Sequence, residues 1–106
     1  MRALLVLFSI LLPLSMAQAA GEDTSQPPQK TKTTSECTSG KIWDKDKKEC
    51  VDAKKSGLDD DTLFKAAREL AYDGQYENSL KVLDAVRDQT SARVPNYRGY
   101  ANRKAG

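Results

Sequence analysis

LFKAARELAYDGQYENSLKVLDAV, residues 63–86, is the stretch whose reading decides the fold. Leu63, Ala66, Ala67 and Leu70 fall at i, i+3, i+4 and i+7, the spacing that lines one face of an α-helix. Asp59, Asp60, Asp61 and Thr62 stand at its start, giving N-cap candidates and negative charge where the helix dipole favours it. Tyr72-Asp73-Gly74-Gln75 interrupts the run, with Gly74 suited to a helix C-terminus. A second periodic run, Tyr76, Ser79, Leu80, Leu83 and Val86, ends near Gln89-Thr90-Ser91. Each apolar stripe is too narrow to hold a helix alone, so two helices of about 13 residues are expected to pack antiparallel across a tight turn.

The same residues resemble a tetratricopeptide repeat. Ala67 stands where that family keeps a small residue in the first helix, and Gly74-Gln75-Tyr76 matches its Gly-x-Tyr turn. Ser79 and Val86 occupy positions that are usually small, and Leu83 a large apolar one. Leu63 takes the Trp-like position near the start, and Ser91 stands where Pro commonly ends the repeat. Ala92–Gly106, ARVPNYRGYANRKAG, is similar to the first helix of a following repeat, with Gly99 at the close-contact position and Gly106 at the turn. Arg98 then aligns with Ala66, a position usually apolar, and Pro95 is tolerable only in the first turn. The resemblance implies an all-α fold: an antiparallel helical hairpin plus a third helix over 60–106, a truncated solenoid of one repeat and half of another, preceded by a disordered linker and a small disulfide-closed loop. Repeat arrays generally need about three units and a capping helix. The expectation is therefore a shortened product of a longer repeat protein, or a fragment completed by a partner, which includes self-association through its uncapped third helix.

Working outward, the N-terminal flank reads as an address followed by a spacer. Met1–Ala19 has Arg2, an apolar run from Ala3 to Leu12, Pro13, and Ala17-Gln18-Ala19, the pattern of a secretory signal peptide. Leu4–Met16 is shorter than the ~20 residues needed to span a bilayer, so no stable membrane span is expected in the mature form. Residues 20–36 contain no large apolar side chain and include Pro27-Pro28, which predicts a disordered linker with a stiffer, extended middle. Residues 51–59 read as a second linker.

Between the linkers, Cys37 and Cys50 bracket a loop, 37–50. Two Cys in an exported chain most simply form one disulfide, and the turn residues between them fit a small hairpin. Asp44 and Asp46 begin the ligand pattern of a calcium loop, but Lys48 and Glu49 occupy the next ligand and Gly positions, which rejects it. The spacing also argues against a redox pair. Trp43 on this stapled loop either packs over the disulfide or stacks on a sugar.

Composition limits the function classes. The 106 residues carry 17 Lys+Arg against 15 Asp+Glu, no His and two Cys. After position 19 only 11 residues are Leu, Ile, Val or Phe. That is about 13%, below the ~20% typical of fully folded chains, and too few for a large core. With no His, no nucleophile motif, no Gly-rich phosphate loop and no metal cluster, neither an enzyme nor a cofactor or metal site is expected. The near-balanced charge argues against nucleic acid. What the resemblance implies is a non-catalytic protein–protein interaction module, secreted or periplasmic. Its concave face would carry Phe64, Arg68, Ala71, Tyr72, Asn96, Tyr100, Arg103 and Lys104, a basic and aromatic set suited to an acidic or C-terminal peptide segment. The rival expectation is a cell-wall or glycan-binding protein led by Trp43.

Overall fold

The computed structural model describes residues 26–106. The expected export signal, 1–19, and the first part of the expected linker lie outside the described residues. The chain runs through α1 (Lys32–Glu36), β1 (Lys41–Asp44), β2 (Glu49–Asp52), a 3-10 turn at Ala53–Lys55, α2 (Asp60–Tyr72), α3 (Tyr76–Ala85) and α4 (Arg93–Ala105).

Three acidic residues start α2. Asp59 caps it, its carboxylate accepting the Thr62 N–H at 2.7 Å. The carboxyls of Asp59, Asp60 and Asp61 all sit below the usual range: Asp59 through the Thr62 amide, Asp60 through the Arg87 and Asp88 amides, Asp61 through Arg93 and Lys65. At the other end Gly74, with φ +82°, lets the Gln75 N–H reach back to the Leu70 carbonyl at 2.9 Å. That closes the helix and folds α3 back along it. The two helices meet at small residues, where the Ser79 hydroxyl donates to the Ala67 carbonyl at 2.7 Å with both residues fully buried.

α3 stops at Ala85, short of the expected end near residues 89–91. The cause is competition for its last turn. Asp60 accepts the backbone N–H groups of Arg87 (2.8 Å) and Asp88 (3.0 Å). The Gln89 side chain donates to the carbonyls of Leu83 (2.9 Å) and Val86 (2.6 Å). Val86 is left extended and buried in the core. α4 follows, with Pro95 in its first turn, where a missing N–H costs nothing. Arg98 ties α4 to the end of α3 by pairing with Asp84 and Gln89, each at 2.6 Å.

Against the all-α fold that the resemblance implied, the described residues form a mixed α/β domain of four helices and a two-stranded sheet. β1 and β2 form an antiparallel hairpin in the register Ile42↔Val51 and Trp43↔Cys50. Ile42 is buried in the same core as Leu63, Phe64, Leu70, Leu83 and Val94, so the hairpin closes the helical layer instead of standing apart from it. Asp44, buried, caps the hairpin turn by accepting the N–H groups of Asp46 (2.9 Å) and Lys47 (3.1 Å). Gly40, with φ +77°, passes so close to α3 that a Cβ there would lie 3.0 Å from the Cβ of Lys81.

The end of the expected disordered linker is ordered as α1. The Thr31 hydroxyl accepts the Thr33 N–H at 3.2 Å, and the buried Thr33 hydroxyl accepts the Trp43 N–H at 3.1 Å. The expected linker 51–59 also contributes to the core, with Ala53 buried and Leu58 packed against it. Cys37, at the end of α1, is disulfide-bonded to Cys50 on β2, which marks an oxidising, extracytoplasmic environment. Among the described residues no helix is long and apolar enough to cross a membrane.

Candidate functional site

Helical spacing sets Phe64, Arg68 and Tyr72 on successive turns of α2, and Tyr97, Tyr100 and Lys104 on successive turns of α4. The two rows meet. Phe64 and Tyr97 contact edge to face with ring centroids 5.2 Å apart, Tyr97 and Tyr100 lie tilted at 5.9 Å, and Tyr100 stacks on Tyr72 at 6.1 Å. Arg68 donates from Nε to the Tyr97 hydroxyl at 2.8 Å, and its guanidinium lies 5.1 Å from the Tyr72 ring centroid. The Lys104 ammonium lies 6.0 Å from that of Tyr100. Burial pushes the Tyr97 phenol up, and the Arg68 guanidinium opposes it by favouring the phenolate.

Of the residues expected on this face, Arg68, Tyr72, Tyr100 and Lys104 converge. Phe64 is 2% exposed and serves as the floor, with the Arg93 guanidinium 4.4 Å from its ring centroid. Ala71 is buried behind the face. Asn96 and Arg103 are exposed elsewhere on α4, and no ring or ion-pair contact joins them to the cluster. Gly99 is not at a helix–helix approach: a Cβ there would meet only the Arg103 side chain, at 3.0 Å. Tyr97, absent from the expected set, is its centre. Its signal was available, since it follows Val94 by three residues and precedes Ala101 by four, on the inward side of α4.

A cleft of about 520 Å³ adjoins this cluster along α2. Its floor includes Thr62, Lys65, Ala66 and Glu69, which share one helical face. One wall is Ile42, Trp43 and Lys45 of the hairpin, and the other includes Pro28, Gln29 and Arg68. The Lys32 ammonium lies 4.6 Å from the Trp43 ring centroid. Trp43 sits across from Cys50 in the sheet, so it both flanks the disulfide and borders this cleft. The two rival sites expected from the sequence are therefore neighbours on one surface.

Glu69 explains how the cleft is built. It is 5% exposed, yet both carboxylate oxygens are used: Oε1 accepts the Thr31 hydroxyl at 2.7 Å and Oε2 the Thr34 N–H at 3.1 Å. A buried carboxylate with two donors is compensated and orders what it touches. Here it fixes the start of α1 over α2.

Compared with protein-family models, with curated proteins and with solved structures, the chain matches none.

Proposed function

We propose that this is a non-catalytic interaction module of the tetratricopeptide type, exported to the periplasm or the extracellular space, which holds an extended peptide against α2 and α4. One observation carries the reading: Tyr72, at 43% the one large hydrophobic side chain exposed among the described residues, stacks on Tyr100 between Arg68 and Lys104. Aromatic rings flanked by cations suit a segment with main-chain carbonyls and a carboxylate to offer. The disulfide agrees with an exported chain.

Selection of a random peptide library on the whole protein tests this. Enriched peptides should lose tenfold or more in affinity with Tyr72→Ala plus Lys104→Glu. Both side chains lie at the surface, so the melt should hardly change. No enrichment, or binding indifferent to this pair, defeats the proposal.

A second reading has one observation behind it, the position of Trp43 on the cleft wall. In this reading a glycan stacks on the indole. Titration with oligosaccharides while following Trp43 fluorescence separates the two, because Tyr72→Ala would leave a glycan response intact.

A further inference from the structure

The Arg68 edge of the face proposed to hold a peptide, with the cleft beside it, already carries an extended segment supplied by the chain itself. Gln26-Pro27-Pro28-Gln29-Lys30-Thr31 runs beside α2 without helix or strand structure. Arg68 donates from Nη2 to the Gln26 carbonyl. The Lys30 ammonium pairs with Asp73 at 3.1 Å, and the Thr31 hydroxyl donates to Glu69. Pro28 and Gln29 wall the cleft beside Phe64 and Arg68. The Asp73 carboxyl lies below its usual range, first through the Gln75 side chain and then through Lys30.

The chemistry of that occupant is specific. Consecutive prolines hold an extended backbone and remove two N–H donors, leaving outward carbonyls that no internal bond uses. Such a segment is recognised by a donor for a carbonyl and by apolar or aromatic walls. Arg68 is that donor, and Asp73 reads a cation that follows the prolines. Recognition through the backbone and the prolines leaves the remaining side chains free to vary.

The segment is unevenly attached. Thr31 is anchored at buried Glu69, whereas Gln26, Pro27, Gln29 and Lys30 are exposed, and the Lys30 side chain is 74% exposed. Exposed ion pairs hold weakly. Residues 26–30 can therefore lift from the face while Thr31 stays in place. A tethered segment this close to its anchor has an effective concentration on the order of mM, enough for weak contacts to compete with a free ligand.

We infer that the partner of this face is an extended, proline-containing segment with a basic residue after its prolines, and that residues 26–30 are a resident stand-in which the partner displaces. The inference rests on the peptide-binding reading above and narrows its ligand class: at the Arg68 edge the guanidinium donates to a main-chain carbonyl, so the segment needs no carboxylate there.

The test uses the whole protein and a fluorescein-labelled peptide of sequence SQPPQKT, blocked at both ends, read by fluorescence anisotropy. Two variants loosen the resident segment, Lys30→Glu alone and Lys30→Glu with Pro27→Gly and Pro28→Gly. The triple variant should bind the peptide several-fold tighter than the unaltered chain, with Lys30→Glu alone between the two, and adding Arg68→Met should remove the gain. A peptide with Gly-Gly in place of Pro-Pro should bind tenfold more weakly. Equal affinity for the unaltered and loosened chains would overturn the resident segment. No binding to either loosened chain, when circular dichroism shows both folded, would overturn the ligand class. Library peptides lost on Tyr72→Ala plus Lys104→Glu would in either case keep the broader binding reading alive.

Discussion

Two glycines show how residue-scale geometry decides the sign of a substitution. Gly40 combines a left-handed φ of +77° with a close approach to the Lys81 Cβ, which belongs to a helix and cannot swing away. Gly40→Ala should cost about 1–2 kcal/mol from backbone strain alone, with the contact adding to it. Gly99 is helical, and the nearest obstacle is the far end of the Arg103 side chain, which can rotate aside. Gly99→Ala should therefore stabilise the chain by about 0.5–1 kcal/mol, the usual gain inside a helix. Urea unfolding of both variants checks the pair, and a destabilised Gly99→Ala would restore the close helix contact that the tetratricopeptide resemblance implied. The site divides in the same way. Arg68, Tyr72, Tyr100 and Lys104 were named through the tetratricopeptide resemblance, and helical spacing is the physical reason they fall together. Glu69 was not, since on spacing alone it is one more charged residue of α2, and only the fold brings Thr31 and Thr34 to it.

Among the elements, legibility follows length and pattern. α2 announces itself through four apolar positions and an acidic cap, whereas α1 has the sequence KTTSE and no apolar residue at all. It exists because Thr31 caps it, Thr33 bonds to β1 and Glu69 holds its start, and two of those three bonds span more than a local turn. The strands KIWD and ECVD have one fully buried side chain and too few positions to show a period of two, so the hairpin was legible from the turn residues between the cysteines and not from the strands. They are held by the Asp44-capped turn and by the disulfide. Replacing both cysteines by Ser should lower stability by about 3 kcal/mol, the chain-entropy value for a loop of this size. It should also free Trp43 from its place beside Cys50, so the loss is to be read twice, by urea unfolding and by a red shift in tryptophan emission. Unchanged emission would mean the hairpin holds its position without the bridge.

For the whole molecule, the distribution of charge predicts how stability depends on pH. The carboxyls of Asp59, Asp60, Asp61, Asp73 and Asp88 all lie below the usual range when folded, through amide or side-chain donors. On acidification the unfolded chain takes up their protons first, near the ordinary pKa of about 4. Their contribution is then complete above that value and is lost as pH falls through the lower folded values. The sequence has no His to titrate near neutrality. Burial raises Tyr97, which places the opposite loss on the alkaline side, beginning above about pH 10. The expected profile is a level melting temperature from about pH 5.5 to 8, falling below about pH 4. The acid limb should shrink in high salt where ion pairs such as Asp61 with Lys65 and Arg93 contribute, and persist where Asp59 and Asp60 hold amides. The same melts, run at two widely separated protein concentrations, address assembly. α4 turns Val94 and Ala101 inward and presents Asn96, Asn102, Arg103 and Lys104 outward, so self-association through it would have to use a polar surface. Coincident melts are the expected result. A transition that rises with concentration would place a second copy on α4 and make the closed α/β core only part of what stabilises the chain.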